Sequence, residues 1–375
     1  MQKVPRNIAA ALLTVFLLFF GAYNTSAQKP DAVSPVVLPP KIDLKVTGGA
    51  DNELLDWMTR DLQEKARKLP PADIGEFTVD LHKRPQEILM NQFKKTALDI
   101  PYTHSKNPAQ QLDIVYPFVG DAPYKVIVNF HGGGWEAGSK RSANSAAVQW
   151  ATYQGYAVVN VGYRLSGDAK WPAQIYDAKA AIRFIRANAK KYRLDADKLV
   201  VWGNSAGGHI AEMLAATNDN PRMEDLSMGN PTSSSQVQGV VAWYGVSEIT
   251  SLAKLGEPSG DKLMGYCISC KLEKSRAASP IEYVNKNFPP ILLVHGTNDQ
   301  VVPFVQSIKM AKNVNTATGK EQARLKLFIN ASHGDPAIKS VENVADNLNF
   351  VDSILFPDGK NPYRSLNYKP IQIKP

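Results

Sequence analysis

Leu199-Val200-Val201-Trp202-Gly203-Asn204-Ser205-Ala206-Gly207-Gly208-His209 is the stretch that decides the fold. A short apolar run (199–202) leads into a tight Gly-Asn-Ser-Ala-Gly-Gly turn, and residues 209–216 continue with a helical pattern. A Gly-x-Ser-x-Gly between a strand and a helix predicts a sharp turn with the serine in a strained backbone conformation. Such a turn needs small residues two before and two after the serine, and Gly203 and Gly207 supply them. The reading places the Ser205 hydroxyl at the strand end and aims the N–H of Ala206 at the same point.

Outward from this turn the chain alternates between two patterns. Apolar runs occur at 112–116, 126–130, 157–161, 199–202, 240–244, 291–294 and 325–329, and helical spacing at 143–153, 173–192, 205–216, 305–315 and 338–355. The later runs are continuous rather than alternating, as expected of strands covered on both faces. Strand–helix alternation predicts an α/β fold, a mostly parallel central sheet with helices on both faces and right-handed crossovers. The polar stretch 246–288 reads as an excursion near the strand ends, where open α/β sheets place their ligands. Ahead of residue 97, residues 28–41 read as a linker, and 51–69 and 84–95 as two helices. The expected domains are a leader over 1–27, a linker and helical N-terminal extension over 28–96, and a catalytic domain over 97–375. The extension is either a cap over the site or a packing segment.

A serine hydroxyl needs a base within hydrogen-bond reach, and the base needs an orienting acid. Asp299, in His295-Gly296-Thr297-Asn298-Asp299, follows the apolar run 291–294 and is the candidate acid. Glu248 is the rival, and a turn-forming Asn-Asp pair is the bland alternative. Of the six histidines only His333 follows Asp299, which makes it the candidate base in the order serine, acid, histidine. His131-Gly132-Gly133-Gly134-Trp135 follows the run 126–130. Bare glycine backbones can turn N–H groups onto a developing oxyanion, so Gly133, Gly134 and Ala206 are the candidate donors. His131, His209 and His295 read as structural. Trp135 and Tyr244 are candidates for lining a substrate pocket, with ordinary packing as the alternative.

Bulk properties bound the remaining possibilities. An apolar content of 44% and a charged content of 21% fit a globular protein with a sizeable core. The formal net charge of +8 is scattered, with no basic run or nucleic-acid motif, so a solvated basic surface is the expectation. Lys3 and Arg6, the apolar stretch 8–20 and Thr25-Ser26-Ala27 together read as a cleaved signal peptide. Secretion or a periplasmic location follows, with no stable membrane span after cleavage. The two cysteines, Cys267 and Cys270, are too few for a four-cysteine zinc site and suit a local disulfide in an exported chain. No metal or organic cofactor is implied.

Taken together, these residues resemble the α/β-hydrolase superfamily, and within it the feruloyl-esterase-like (BD-FAE-type) and hormone-sensitive-lipase-like carboxylesterases. Further landmarks appear in the order these families show: Val161-Gly162-Tyr163-Arg164-Leu165, Trp171-Pro172-Ala173-Gln174, Asp177-Ala178 and Ala278-Ser279-Pro280-Ile281. The resemblance covers roughly residues 97–355. Asn204 stands where hormone-sensitive-lipase-like members usually carry an acid, which favours the feruloyl-esterase-like side. What the resemblance implies is a serine carboxylesterase acting on short acyl or aryl esters, including esters on polysaccharides. A serine exopeptidase or amidase of the same fold is the alternative.

Overall fold

The computed structural model describes residues 41–44, 90, 93–218, 220–255, 258–356 and 358–364. The leader read over 1–27, the candidate helix over 51–69 and most of that over 84–95 lie outside them. Among the described residues nine strands form one sheet: β1 (Lys41–Leu44), β2 (Thr96–Pro101), β3 (Gln111–Val115), β4 (Tyr124–Phe130), β5 (Ala157–Val161), β6 (Leu194–Asn204), β7 (Gly239–Trp243), β8 (Ile291–Gly296) and β9 (Ala323–Phe328). Their order is β1-β9-β8-β7-β6-β4-β5-β3-β2. The strands from β5 through β4, β6, β7 and β8 to β9 run parallel, whereas β1, β3 and β2 pair antiparallel at the edges.

The continuous apolar runs have the meaning expected of them. Every residue of β5, β7 and β8 is buried, so these strands are covered on both faces. Four long helices do most of the covering: α1 (Ala173–Ala187), α2 (Ala206–Ala216), α3 (Val305–Thr318) and α4 (Val341–Leu355). One core joins residues of α1, α2 and α3, such as Ile182, Ile210 and Ile308, to Val128, Val201 and Leu293 of the sheet. The other joins Val148 and, from α4, Val344, Leu348 and Val351 to Ile127, Val200, Trp202 and Trp243.

Several elements differ from the sequence reading, each for a local reason. β6 begins at Leu194 rather than 199, because Asp195 and its neighbours pair with the start of β4 across a register shift. Asp195, Asp197 and Lys198 interrupt the apolar run at this end, although Leu194 and Ala196 between them are buried. The segment 143–154 is a 3₁₀ helix, and Ser145, Val148, Ala151 and Gln154 are buried at every third position, as three residues per turn require. The pattern over 173–192 breaks at Asn188, whose amide side chain caps the Phe184 carbonyl at 3.0 Å. α4 starts at Val341, where Ser340 accepts from the Asn343 N–H. Lys41–Leu44, at the boundary of the expected linker, supplies an edge strand through backbone pairing with β9. Among its described residues the excursion after β7 holds short helical segments and the Cys267–Cys270 disulfide. Among the described residues no helix is long and apolar enough to cross a membrane.

The chain leaves β4 for β5 on one side and returns to β6 on the other. This reversal brings the ends of β4 and β6 together, with Phe130 paired to Gly203. The His131–Trp135 loop and the Ser205 turn therefore emerge side by side. Behind them α2 rests on Gly245, two residues past the end of β7, and a Cβ on Gly208 would lie 2.8 Å from Gly245 Cα. Gly208→Ala should destabilise the fold by about 1–3 kcal/mol through overpacking. A melting temperature equal to that of the parent would contradict this packing.

Candidate active site

Ser205 has φ 55° and ψ −119°, a conformation that L-residues rarely adopt. It costs of order 1–3 kcal/mol and persists only where the surroundings impose it. Here they do. A Cβ on Gly203 would lie 2.1 Å from the Gly207 carbonyl oxygen, and one on Gly207 would lie 2.1 Å from that of Phe130. The Ser205 N–H donates to Trp243 O at 2.9 Å, and the Ser205 carbonyl accepts from the His209 N–H at 3.0 Å. The serine is thus fixed by β4, β7 and α2 at once.

His333 and Asp299 meet it from the ends of β9 and β8. The His333 Nε2 lies 2.9 Å from Ser205 Oγ, and its Nδ1 lies 2.7 Å from Asp299 Oδ2. A carboxylate can only accept, so Nδ1 carries the proton and Nε2 is free to take one from the serine. The other Asp299 oxygen accepts from the Val301 and Val302 N–H groups at 2.9 and 2.8 Å. Burial by itself would raise the Asp299 pKa. Hydrogen bonds from His295 and His333 outweigh it and hold the carboxyl well below the usual range. His295 is wholly buried, with Nε2 at 3.2 Å from Asp299 Oδ2 and 2.9 Å from the Val302 carbonyl, and Nδ1 at 2.7 Å from Ser307 Oγ. It braces the acid loop against α3. Glu248, the rival acid, instead pairs with Lys309 at 3.1 Å.

The glycine loop is built around left-handed backbone. Gly133, Gly134 and Trp135 have φ of 121°, 61° and 59°. The Gly133 carbonyl accepts from the N–H groups of Glu136 and Ala137, which closes the turn. A Cβ on Gly132 would sit 3.2 Å from Ser205 Cβ, so the loop lies directly against the serine. Ala206 opens α2, where its N–H has no acceptor within the helix. His131 is buried, its pKa lowered to about 4 by desolvation. Its ring stacks on Tyr163 at 4.4 Å, and the Tyr163 hydroxyl donates to the His131 carbonyl at 2.8 Å. That contact gives the Gly162-Tyr163-Arg164 landmark a physical role. Arg164 in turn grips the buried Asp177, with Nη2 at 2.7 Å from Oδ1.

The two residues read as pocket-lining are both buried, each 1% exposed. Trp135 turns inward because its indole Nε1–H donates to His209 Nδ1 at 3.1 Å. Tyr244 lies edge-on to the His333 ring at 4.7 Å, so it supports the imidazole rather than facing solvent. His209, read as structural, carries the Trp135 contact, a partner the sequence did not reveal. One further group on α2 was missed. Glu212 is wholly buried beside Gly245 and Ser247, and neither carboxyl oxygen has a hydrogen-bond partner of normal geometry. No pattern in the sequence marks it.

Fold and site define an α/β hydrolase with a serine, histidine and carboxylate in one line. The BD-FAE family model matches residues 112–314, more than half of the chain, and the chain belongs to that family. Among curated relatives, esterase LipC of Mycobacterium tuberculosis is 29% identical over 62% of this chain and 58% of its own length. Esterase LipQ of the same organism is 30% identical over 56% of this chain and 53% of its own. The chain thus spans little more than half of either relative. Among solved structures, a truncated carbohydrate esterase from gut microbiota superposes with TM-score 0.65 and 27% identity over 72% of this chain and 99% of that one. Est2 of Thermogutta terrifontis, solved with propionate bound, gives 0.56 and 25% over 70% and 96%.

Desolvation pushes the Glu212 carboxyl up to about 8, from 4.5 in an open chain. The folded state therefore binds more protons than the unfolded one across that window, and stability falls as pH rises from about 4.5 to 8. Glu212→Gln should flatten this decline, so its melting temperature should exceed that of the parent by a margin growing toward pH 8. Equal pH slopes for the two proteins would refute the assignment.

Proposed function

We propose that this protein is an exported serine carboxylesterase that hydrolyses short acyl or aryl esters, acetyl or feruloyl in type, through an acyl-enzyme. The observation that carries the reading is the unbroken line from Ser205 Oγ through His333 to Asp299, at 2.9 and 2.7 Å. In this reading His333 Nε2 takes the serine proton as Oγ attacks the ester carbonyl. Asp299, kept ionised, holds the ring and stabilises the imidazolium. The N–H groups of Gly133, Gly134 and Ala206 receive the oxyanion. His333 then protonates the departing alcohol, and water attacks the acyl-enzyme by the same route. Cofactor chemistry plays no part in these steps.

The substrate class rests on the comparisons. Two relatives are named esterases, one structural neighbour is a carbohydrate esterase, and another was solved with propionate, a short acyl acid. An alcohol carried on a polysaccharide fits export, which rests on the leader-like residues 3–27. Ser205→Ala should lower p-nitrophenyl acetate hydrolysis at least about 10³-fold. Retention of more than a small fraction of activity would sink the mechanism. Across p-nitrophenyl esters of increasing chain length, with methyl ferulate and acetylated xylan alongside, the short or aryl esters should lead. A preference for long acyl chains would contradict the substrate class. Faster cleavage of aminoacyl-naphthylamides than of esters would favour the amidase alternative instead. Intact mass of the protein recovered outside the cytoplasm should correspond to a chain starting at Gln28, whereas an uncut chain would contradict processing.

A further inference from the structure

His209 is a polar side chain beside the site that the mechanism above does not use. It is completely buried on α2, one helical turn beyond Ser205. Its two ring nitrogens face opposite kinds of group. Nδ1 meets the indole N–H of Trp135 at 3.1 Å and must accept. Nε2 meets the carbonyl of Ala278 at 2.8 Å and must donate. Only the neutral ring protonated at Nε2 satisfies both, and burial, which lowers its pKa to about 4, keeps it neutral. The rings of Trp135 and Trp171 pack around it at 5.0 and 5.4 Å.

The three segments joined by this ring have different origins. Trp135 ends the glycine loop and holds a left-handed backbone at φ 59°, immediately after Gly134. Its carbonyl is tied down as well, accepting from the Ser166 N–H at 2.7 Å. Ala278 belongs to the excursion after β7, a segment that also reaches the loop through Lys262 and Glu136 at 2.5 Å. His209 itself belongs to the helix that begins at Ser205. The helix that places the nucleophile therefore also fixes the far end of the loop that would hold the oxyanion.

We propose that His209 is a positioning residue, holding the oxyanion loop in register with Ser205 through Trp135 and coupling that loop to the excursion through Ala278. This rests on the serine-hydrolase reading. A displacement of about 1 Å in such donors can cost on the order of 10²-fold in rate. The effect falls on the tetrahedral state rather than on the bound ester, so kcat should fall and KM should not move.

The test uses Trp135→Phe, His209→Phe, their double variant and His209→Asn in the full chain. The readouts are kcat and KM for p-nitrophenyl acetate, Ki for an aryl trifluoromethyl ketone, and the melting temperature. Each Phe variant should lose roughly 10- to 100-fold in kcat with KM within about threefold, and Ki should rise in step with the loss. The double variant should be no slower than the slower single, because both singles already remove the same Trp135–His209 bond. His209→Asn, whose Oδ1 can accept the indole N–H, should regain at least half of the logarithmic loss. Should His209→Phe fail to fold, Trp135→Phe alone decides by the same kcat, KM and Ki criteria. Folded variants with unchanged kcat, or a loss confined to melting temperature or KM, overturn the proposal while leaving the hydrolase reading intact. If Ser205→Ala keeps its activity, it is the hydrolase reading that fails.

Discussion

The carbonyl oxygens of Phe130 and Gly207 leave no space for a side chain at Gly207 or Gly203, and this crowding imposes the shape of the turn at Ser205. The strain of φ 55° and ψ −119° at the serine is the consequence. It is sustained by parallel pairing of β6 with β4 and β7, by the Trp243 carbonyl on the Ser205 N–H, and by α2 lying close enough to β7 for Gly208 to touch Gly245. The same crowding presses Gly132 against Ser205, which seats the glycine loop beside the nucleophile. Sheet order, helix approach and loop placement all converge on a region with no room for another methyl group.

From this rigid point the rest of the site is assembled by polar groups shielded from water. Asp299 is buried, yet two histidines and two backbone N–H groups supply what water would otherwise supply. Its charge therefore survives burial, and it can orient His333. On the opposite flank His131 and His209 are buried without a carboxylate and remain neutral, held by carbonyls, aromatic rings and an indole N–H. Four histidines thus share one neighbourhood with different tasks. The charge or hydrogen bond facing each ring sets the difference.

Much of this was legible in the sequence, because the deciding signals were local. Continuous apolar runs marked the parallel strands, and two glycine motifs at strand ends marked the loops that meet at the β4–β6 reversal. The chain order of Ser205, Asp299 and His333 pointed to three residues that the structure brings within hydrogen-bond reach. What stayed hidden depended on tertiary contacts. The inward turn of Trp135 requires His209 as its acceptor, 74 residues away along the chain. The burial of Glu212 depends on the close approach of Gly245, and the edge strand at 41–44 on a register with β9. The start of β6 was masked by aspartates that face outward at the sheet's amino end.

The central claim is that Ser205 is a nucleophile activated by His333. Labelling with a fluorophosphonate, followed by mass spectrometry of the intact protein and its peptides, tests it most directly. One adduct per chain is predicted, located on the peptide bearing Ser205 and reduced at least about 10³-fold in rate by His333→Ala. No adduct, an adduct on another residue, or labelling indifferent to His333 would contradict the account.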